Sequence, residues 1–315
     1  VSAAEPGIAA AISRPPDRLA FAAFCLVGSA TCFSGMGAMI RHVAEAYALH
    51  PFVIAFFRGA LVLALFIPWM GRGLPFLPRR QRTPYAMRGA FEVVAVLAWF
   101  YGVTVMPLAD FTAVTFTSVL VSVAIAAVFL GEKVGPRRWA AVAAGFVGVV
   151  LVLRPGAGEI GAGTLAAVVT MLSVAGSRIA AKLLARTETA NAIVFYNVLY
   201  VTPLTFLPAL AFWSWPSGAA MLWLFAIALV ASLGHLCLAQ AYRAADISVL
   251  APFDFFQLPA AAFFGFVAFG QLPDALSWAG AAIIVGSALY ATYRETRLRR
   301  AASAAAAIPP RGSSP

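Results

Sequence analysis

Residues 107–155 read PLADFTAVTFTSVLVSVAIAAVFLGEKVGPRRWAAVAAGFVGVVLVLRP, two apolar segments joined by a short basic turn. A second stretch repeats that plan. Ala109 and Asp110 open the first copy, and Ala245 and Asp246 open the second 136 positions later. After an apolar run the first copy reads Gly131, Glu132 and then Trp139; the second reads Gly270, Gln271 and then Trp278, now 139 apart. The second copy thus carries three extra residues. A fainter echo pairs Gly35 and Arg41 with Gly176 and Lys182. The chain is an internal duplication, and duplication in so apolar a sequence points to a repeat-built transporter.

Over 315 positions, 62% of residues are hydrophobic and 11% charged, too apolar for an ordinary soluble domain. Membrane is the solvent that such a composition fits. A net charge of +10 would mean nucleic acid in a soluble protein, but here the placement of the charges decides. Cys25, Cys32 and Cys237 sit inside apolar runs without ligand spacing, so neither a disulfide nor a metal is expected. Residues 1–18 are rich in Ala and Pro and read as a flexible tail. The apolar run behind them is longer than a signal-peptide core and shows no convincing cleavage site, so it is expected to be a retained span.

A bilayer core about 30 Å thick needs about 20 apolar residues in a helix. Ten segments qualify: roughly 19–40, 52–70, 84–106, 108–130, 137–153, 163–185, 191–213, 218–242, 247–269 and 274–293. With ten spans, 18 of the 22 Lys and Arg residues fall on one side, including the Arg79 to Arg88 and Arg294 to Arg300 clusters. Only Arg41 and Arg154 fall on the other, while Arg58 and Arg178 lie inside spans. The basic excess marks the cytoplasmic face, so both termini are expected there and a nucleic-acid partner is not. The expectation is an all-α integral membrane protein of the cell (inner) membrane, with ten transmembrane helices. Five spans in each half, 19–153 and 163–293, force the halves to face opposite ways, as two inverted repeats. An external linker at 154–162 joins them, and a basic flexible tail fills 294–315. The linker carries a literal GxGxxG at Gly156, Gly158 and Gly161, which has no parallel sheet to serve and is discarded.

An ionisable residue at mid-bilayer costs roughly 2.5–3.5 kcal/mol on insertion scales, so each needs a partner or a watery cavity. Arg58 and Glu92 enter spans two and three to similar depths. Arg88 stands four residues before Glu92 and can pair with it along one helix; alternatively, Glu92 faces substrate. Glu92 and Trp99 share a stripe of span three, an acid beside an aromatic face. Thr112, Thr115, Ser118 and Ser122 form a weakly polar stripe on span four, suited to helix packing or to cavity lining. Span six gathers Ser173, Gly176, Ser177 and Ala180 on a small-residue face that lets another helix approach closely or leaves room for substrate, and Arg178, which borders it, can also snorkel to water. In span eight Ser232, His235 and Ala239 align. Span nine holds Pro252, Asp254, Gln257 and Pro259, where prolines release backbone carbonyls beside two polar side chains. An Asp there can bind and release a proton and so couple transport to a proton gradient, unless Arg178 pairs with it permanently.

Several runs resemble the drug/metabolite transporter superfamily, EamA type. They are Phe56-Phe57-Arg58-Gly59, Trp99-Phe100-Tyr101-Gly102 leading to Pro107, Gly131-Glu132 before Trp139, and Gly234-His235 followed by Ala241-Tyr242-Arg243 and Ala251-Pro252-Phe253. The resemblance covers about 19–293 and implies two inverted halves around a central cavity lined by spans one, three, four, six, eight and nine. On that layout Glu92, Trp99, Ser118, Arg178, His235, Asp254 and Gln257 face a small organic substrate. Spans two and seven become outer supports, which gives Arg58 and Asn197 structural roles. Spans five and ten are peripheral, and Ala141 with Gly145 and Ala282 with Gly286 offer a homodimer face. The spacing is most similar to the branch containing S-adenosylmethionine and riboflavin importers, while neighbouring branches export amino acids, amines and drugs. Gln271 departs from the usual Gly-Glu turn, and the acids Glu92 and Asp254 stand where S-adenosylmethionine importers have an apolar and a basic residue. Two acids would favour a positively charged ligand.

An intramembrane enzyme would need a nucleophile with a base, or a metal cluster, on facing helices, and no such set is apparent in the sequence. No cofactor is expected. A non-transporting adaptor is the other alternative, and it lacks the large regulatory domain that would support it.

Overall fold

The computed structural model describes residues 16–70, 82–129, 135–153, 161–184, 190–244, 250 and 253–306. Most of the N-terminal tail, most of the linker, the Gly131-Glu132 turn and Pro252 lie outside the described residues. Among the described residues the chain is all helix, without strands. The helices are α1 (Pro16–Tyr47), α2 (Pro51–Met70), α3 (Arg82–Val105), α4 (Leu108–Phe116), α5 (Ser118–Phe129) and α6 (Pro136–Leu153) in the first half. The second half holds α7 (Ala162–Leu184), α8 (Ala190–Leu210), α9 (Gly218–Ala244), α10 (Gln257–Phe269) and α11 (Ala275–Ala306). Among the described residues, five stretches are long and apolar enough to cross a membrane: Ala20–Tyr47, Thr83–Val105, Leu108–Val128, Ala162–Ala181 and Gly218–Ala241. Shorter apolar helices cover the other five expected spans.

Prolines and left-handed residues punctuate these helices. Pro51 and Pro136 occupy first helical positions, where a missing N–H costs nothing. Ala48, at φ 51°, turns the chain out of α1. Gly270, at φ 64°, ends α10 in a paired closure: its N–H donates to Phe266 and the Gln271 N–H donates to Gly265.

Two expected spans are not single helices. Span four breaks at Thr117, whose N–H donates to the Val114 carbonyl three residues back at 3.1 Å. The hydroxyls of Thr112, Thr115 and Ser122 bond to carbonyls of their own helix, a competition that tightens the turn. Span nine is interrupted at Phe255 and Phe256 before α10 begins. The cause is Pro259, whose ring clashes with the carbonyl four residues back, that of Phe255, and which has no N–H to offer. That carbonyl instead accepts the Leu258 N–H at 3.1 Å. The supposed C-terminal tail also differs, since α11 continues as helix to Ala306.

The largest helix contacts all join one half to the other. Helix α1 packs on α9, α3 on α7 and α6 on α11, while α2 meets α8 and α4 meets α10. Lesser contacts follow the same plan: α1 with α10 and α7 with α4 and α5, α2 with α9 and α8 with α3. Exchanging each helix for its counterpart in the other half leaves this pattern unchanged. The core lies where the halves meet, around Ile40, Val43, Phe100, Val103, Phe111, Leu224 and Ile227.

The α6–α11 contact is backbone against backbone. A Cβ added to Gly148 would lie 2.8 Å from the Gly280 carbonyl oxygen, and one on Gly280 would lie 2.7 Å from that of Gly148. The expected dimer face is divided by this packing. Ala141 is buried and Gly145 is pressed against Leu120 and Ser287 inside the protein, whereas Ala282 is exposed and Gly286 opens onto nothing within 4 Å.

Candidate functional site

Polar residues of the spans tie the two halves together. Glu92 of α3 accepts a hydrogen bond from the Ser177 hydroxyl of α7 at 2.5 Å. The expected pairing of Arg88 with Glu92 along α3 is not made; the Arg88 Nε donates instead to Asn197 Oδ1 of α8 at 3.3 Å. Arg58, Arg88 and His235 all remain within electrostatic reach of Glu92. Arg178 follows Ser177 in sequence and acts in the same way on Asp254. Glu92 with Arg58 and Arg88, and Asp254 with Arg178, thus make two charged groupings within the spans.

Accessibility within the network is graded. On α9, Ser232 is buried, with its hydroxyl bonded to the Ala228 carbonyl at 2.8 Å, while His235, Ala239 and Arg243 on the same stripe are exposed. Leu222, Leu229, Leu233 and Leu236 occupy a different exposed face, the one suited to lipid. The His235 Nδ1–H donates to the Ala231 carbonyl at 2.7 Å, leaving Nε2 as the acceptor of the neutral ring, and Phe33 of α1 meets the ring edge-on at 5.0 Å. Arg178 is exposed, and Glu92, Asp254 and Gln257 are partly so. The Gln257 main-chain carbonyl accepts the Ser34 hydroxyl at 3.1 Å, tying the interrupted span to α1.

The two remaining expected residues sit elsewhere. Ser118 is 2% exposed at the α4–α5 break and reaches no open space. Trp99 packs into the core against Gly37 of α1 and meets Phe100 edge-on at 5.4 Å. The sequence places Ser177 on the small-residue face of span six but does not pair it with Glu92, and it gives no sign of the Arg88–Asn197 link. The available signal was a hydroxyl on the small-residue face beside Arg178.

A second cluster closes the Met106 end of the bundle. Arg41 of α1 donates from Nε to Glu45 Oε1 at 2.8 Å and from Nη1 to the Met106 carbonyl at 3.3 Å, and its guanidinium lies 4.8 Å from the Phe269 ring centre. Beside it Gln271 Oε1 accepts the Leu108 N–H at 3.2 Å. Gln271, where a Gly-Glu turn was the expected pattern, thus joins α4 to the turn after α10. A cavity of about 380 Å³ opens next to this strap, lined by Pro107, Asp110, Gly265, Gln271, Pro273 and Asp274 among others.

Comparison with known proteins agrees with this architecture. Residues 20–154 match the EamA-like transporter family. A riboflavin transporter of Rhizobium johnstonii is 29% identical over 287 residues, covering 90% of this chain and 95% of its own length. An S-adenosylmethionine uptake transporter of Rickettsia felis is 29% identical over 79% of this chain and 85% of its own. A pseudopaline exporter of Pseudomonas aeruginosa is 28% identical over 80% and 89% respectively. A solved crystal structure, 21% identical, covers 86% of this chain and 99% of its own at a TM-score of 0.53, which shows a shared fold. The chain is a multi-pass membrane protein that carries an EamA family domain and is related throughout most of its length to proteins named as transporters.

Proposed function

We propose that this protein is a secondary transporter of a small organic metabolite, working by alternating access to the space around Glu92, Arg178, His235, Asp254 and Gln257. The observation that carries the proposal is the network itself. Charged and polar side chains from both halves meet within the spans, where each needs a partner or a watery path. The exchange symmetry of the helix contacts supports ten spans in two inverted five-helix halves, since such halves can trade conformations. The distribution of basic residues supports cytoplasmic termini and an inner-membrane location. Asp254, beside the interruption of span nine, is the group assigned to proton coupling. Trp99 and Ser118 support the helices that carry the site in the conformation described.

The related riboflavin, S-adenosylmethionine and pseudopaline proteins supply the first candidates for substrate. Thermal unfolding of the purified protein would be followed against these compounds, amino acids, polyamines and nucleosides, with Asp254→Asn in parallel. A ligand at 100 times its Kd stabilises by about 2.7 kcal/mol. A stabilising ligand whose effect is lost in the variant supports the site. A ligand that stabilises both proteins equally places binding elsewhere.

A further inference from the structure

We infer that Arg58 anchors an anionic oxygen group of the ligand, a carboxylate or a phosphate, at the junction of α2, α3 and α9. The inference rests on the reading of the network as a substrate path, and it reverses the sequence expectation of a structural Arg58 and a cationic ligand. Arg58 is partly accessible, yet its Nε is buried with no hydrogen-bond partner. Its guanidinium lies 5.4 Å from the centre of the Phe100 ring, so an aromatic face supports it where a carboxylate would be expected. Glu92 acts on Arg58 through space but is bonded to Ser177, and it also serves as counter-charge to Arg88. Arg178 acts instead on Asp254. Among the described residues, Arg58 is the guanidinium with a buried donor that makes no hydrogen bond.

A buried guanidinium donor with no acceptor leaves its desolvation uncompensated, and such a group in a native structure calls for a missing partner. The planar fork of arginine matches carboxylate or phosphate oxygens in pairs. The Phe100 ring lies beside the guanidinium, so an anion paired with Arg58 sits next to an aromatic wall. An organic anion attached to a planar ring fits these features together.

The test uses the full chain in detergent with benzoate, phenyl phosphate and the neutral isostere benzamide as probes. Either anion should raise the unfolding temperature saturably and benzamide should not; the stronger of the two anions assigns carboxylate or phosphate. Arg58→Gln should weaken the anion by about tenfold to a hundredfold, and Arg58→Lys, which keeps a charge without the fork, by less. In the unsubstituted protein, phenylglyoxal modification of Arg58, mapped by peptide mass, should be slowed by the anion, a readout that does not depend on the variants folding. Equal effects of benzamide and benzoate, full anion binding by Arg58→Gln, or no protection of Arg58 would each overturn the inference. Metabolite flux without any anion effect would remove this inference alone, whereas anion binding without flux would remove the transporter reading and keep the anion site.

Discussion

Gly148 and Gly280 offer two identical chemical changes whose consequence is set by a backbone contact. Replacing either with Ala places a Cβ 2.7–2.8 Å from the carbonyl oxygen of the facing helix. Carbon and oxygen settle at about 3.3 Å or more in such contacts, so α6 and α11 must part by roughly half an ångström. Ile284 and Val152 side-chain atoms, at 2.7 and 2.6 Å, must also yield, but backbone cannot rotate away as they can. Overpacking of this kind costs about 1–3 kcal/mol, against about 0.5–1 kcal/mol gained from the better helix propensity of Ala. Net destabilisation of about 0.5–2 kcal/mol is expected for each. Gly286→Ala on the same helix meets nothing within 4 Å and should be neutral or stabilising by the propensity alone. Because Gly148 and Gly280 face one another, the double variant should lose less than the sum, the helices having already parted. Reversible unfolding in mixed micelles measures all four proteins. If Gly148→Ala behaves like Gly286→Ala, the close approach of α6 and α11 is refuted.

Other variants probe the two polar clusters and the loop after α1. Arg41→Gln removes an exposed ion pair worth at most about 1 kcal/mol and a cation–π contact of similar size, so unfolding should fall by about 1–2 kcal/mol; no loss would show that the strap contributes nothing. Asp254→Asn should abolish gradient-driven accumulation while substrate exchange continues, and unchanged accumulation would rule out coupling through this residue. His50 stacks on Phe212 at 3.8 Å and its Nδ1 accepts the Phe52 N–H, and burial holds its pKa below the usual 6.5. Because the unfolded chain takes up the proton first, stability should decline as pH falls below about 6.5, down to the lower folded value. His50→Asn should remove that part of the slope in unfolding curves measured across the range, and an unaltered slope would assign it to other groups.

Much of the architecture was legible because its signals are chemical and repeated. Apolar runs of bilayer length, the 136- and 139-residue echoes and the one-sided basic residues need no coordinates. The family match over residues 20–154 and the all-helical fold follow from the same runs. The broken spans were harder. Pro259 announced a weakness, but where the helix breaks depends on which carbonyl its ring strikes, and hydroxyl competition around Thr117 is invisible to hydropathy. The polar contacts within the spans were half legible. In-span Glu92, Arg178, His235 and Asp254 stand out by cost alone, whereas their partners are decided between helices: Arg88 turns to Asn197 of α8 instead of to Glu92 four residues away. Trp99 and Ser118 share helical stripes with polar groups, yet tertiary packing draws both inward.

The central claim is movement of a metabolite through the network between the two halves. Proteoliposomes loaded with each of riboflavin, S-adenosylmethionine, amino acids, polyamines and nucleosides test it by counterflow of the labelled compound. The account predicts saturable, protein-dependent counterflow of at least one of them, reduced by Arg178→Gln in protein that remains folded. Flux no greater than in empty liposomes for every compound, or flux unaltered in that variant, would contradict it.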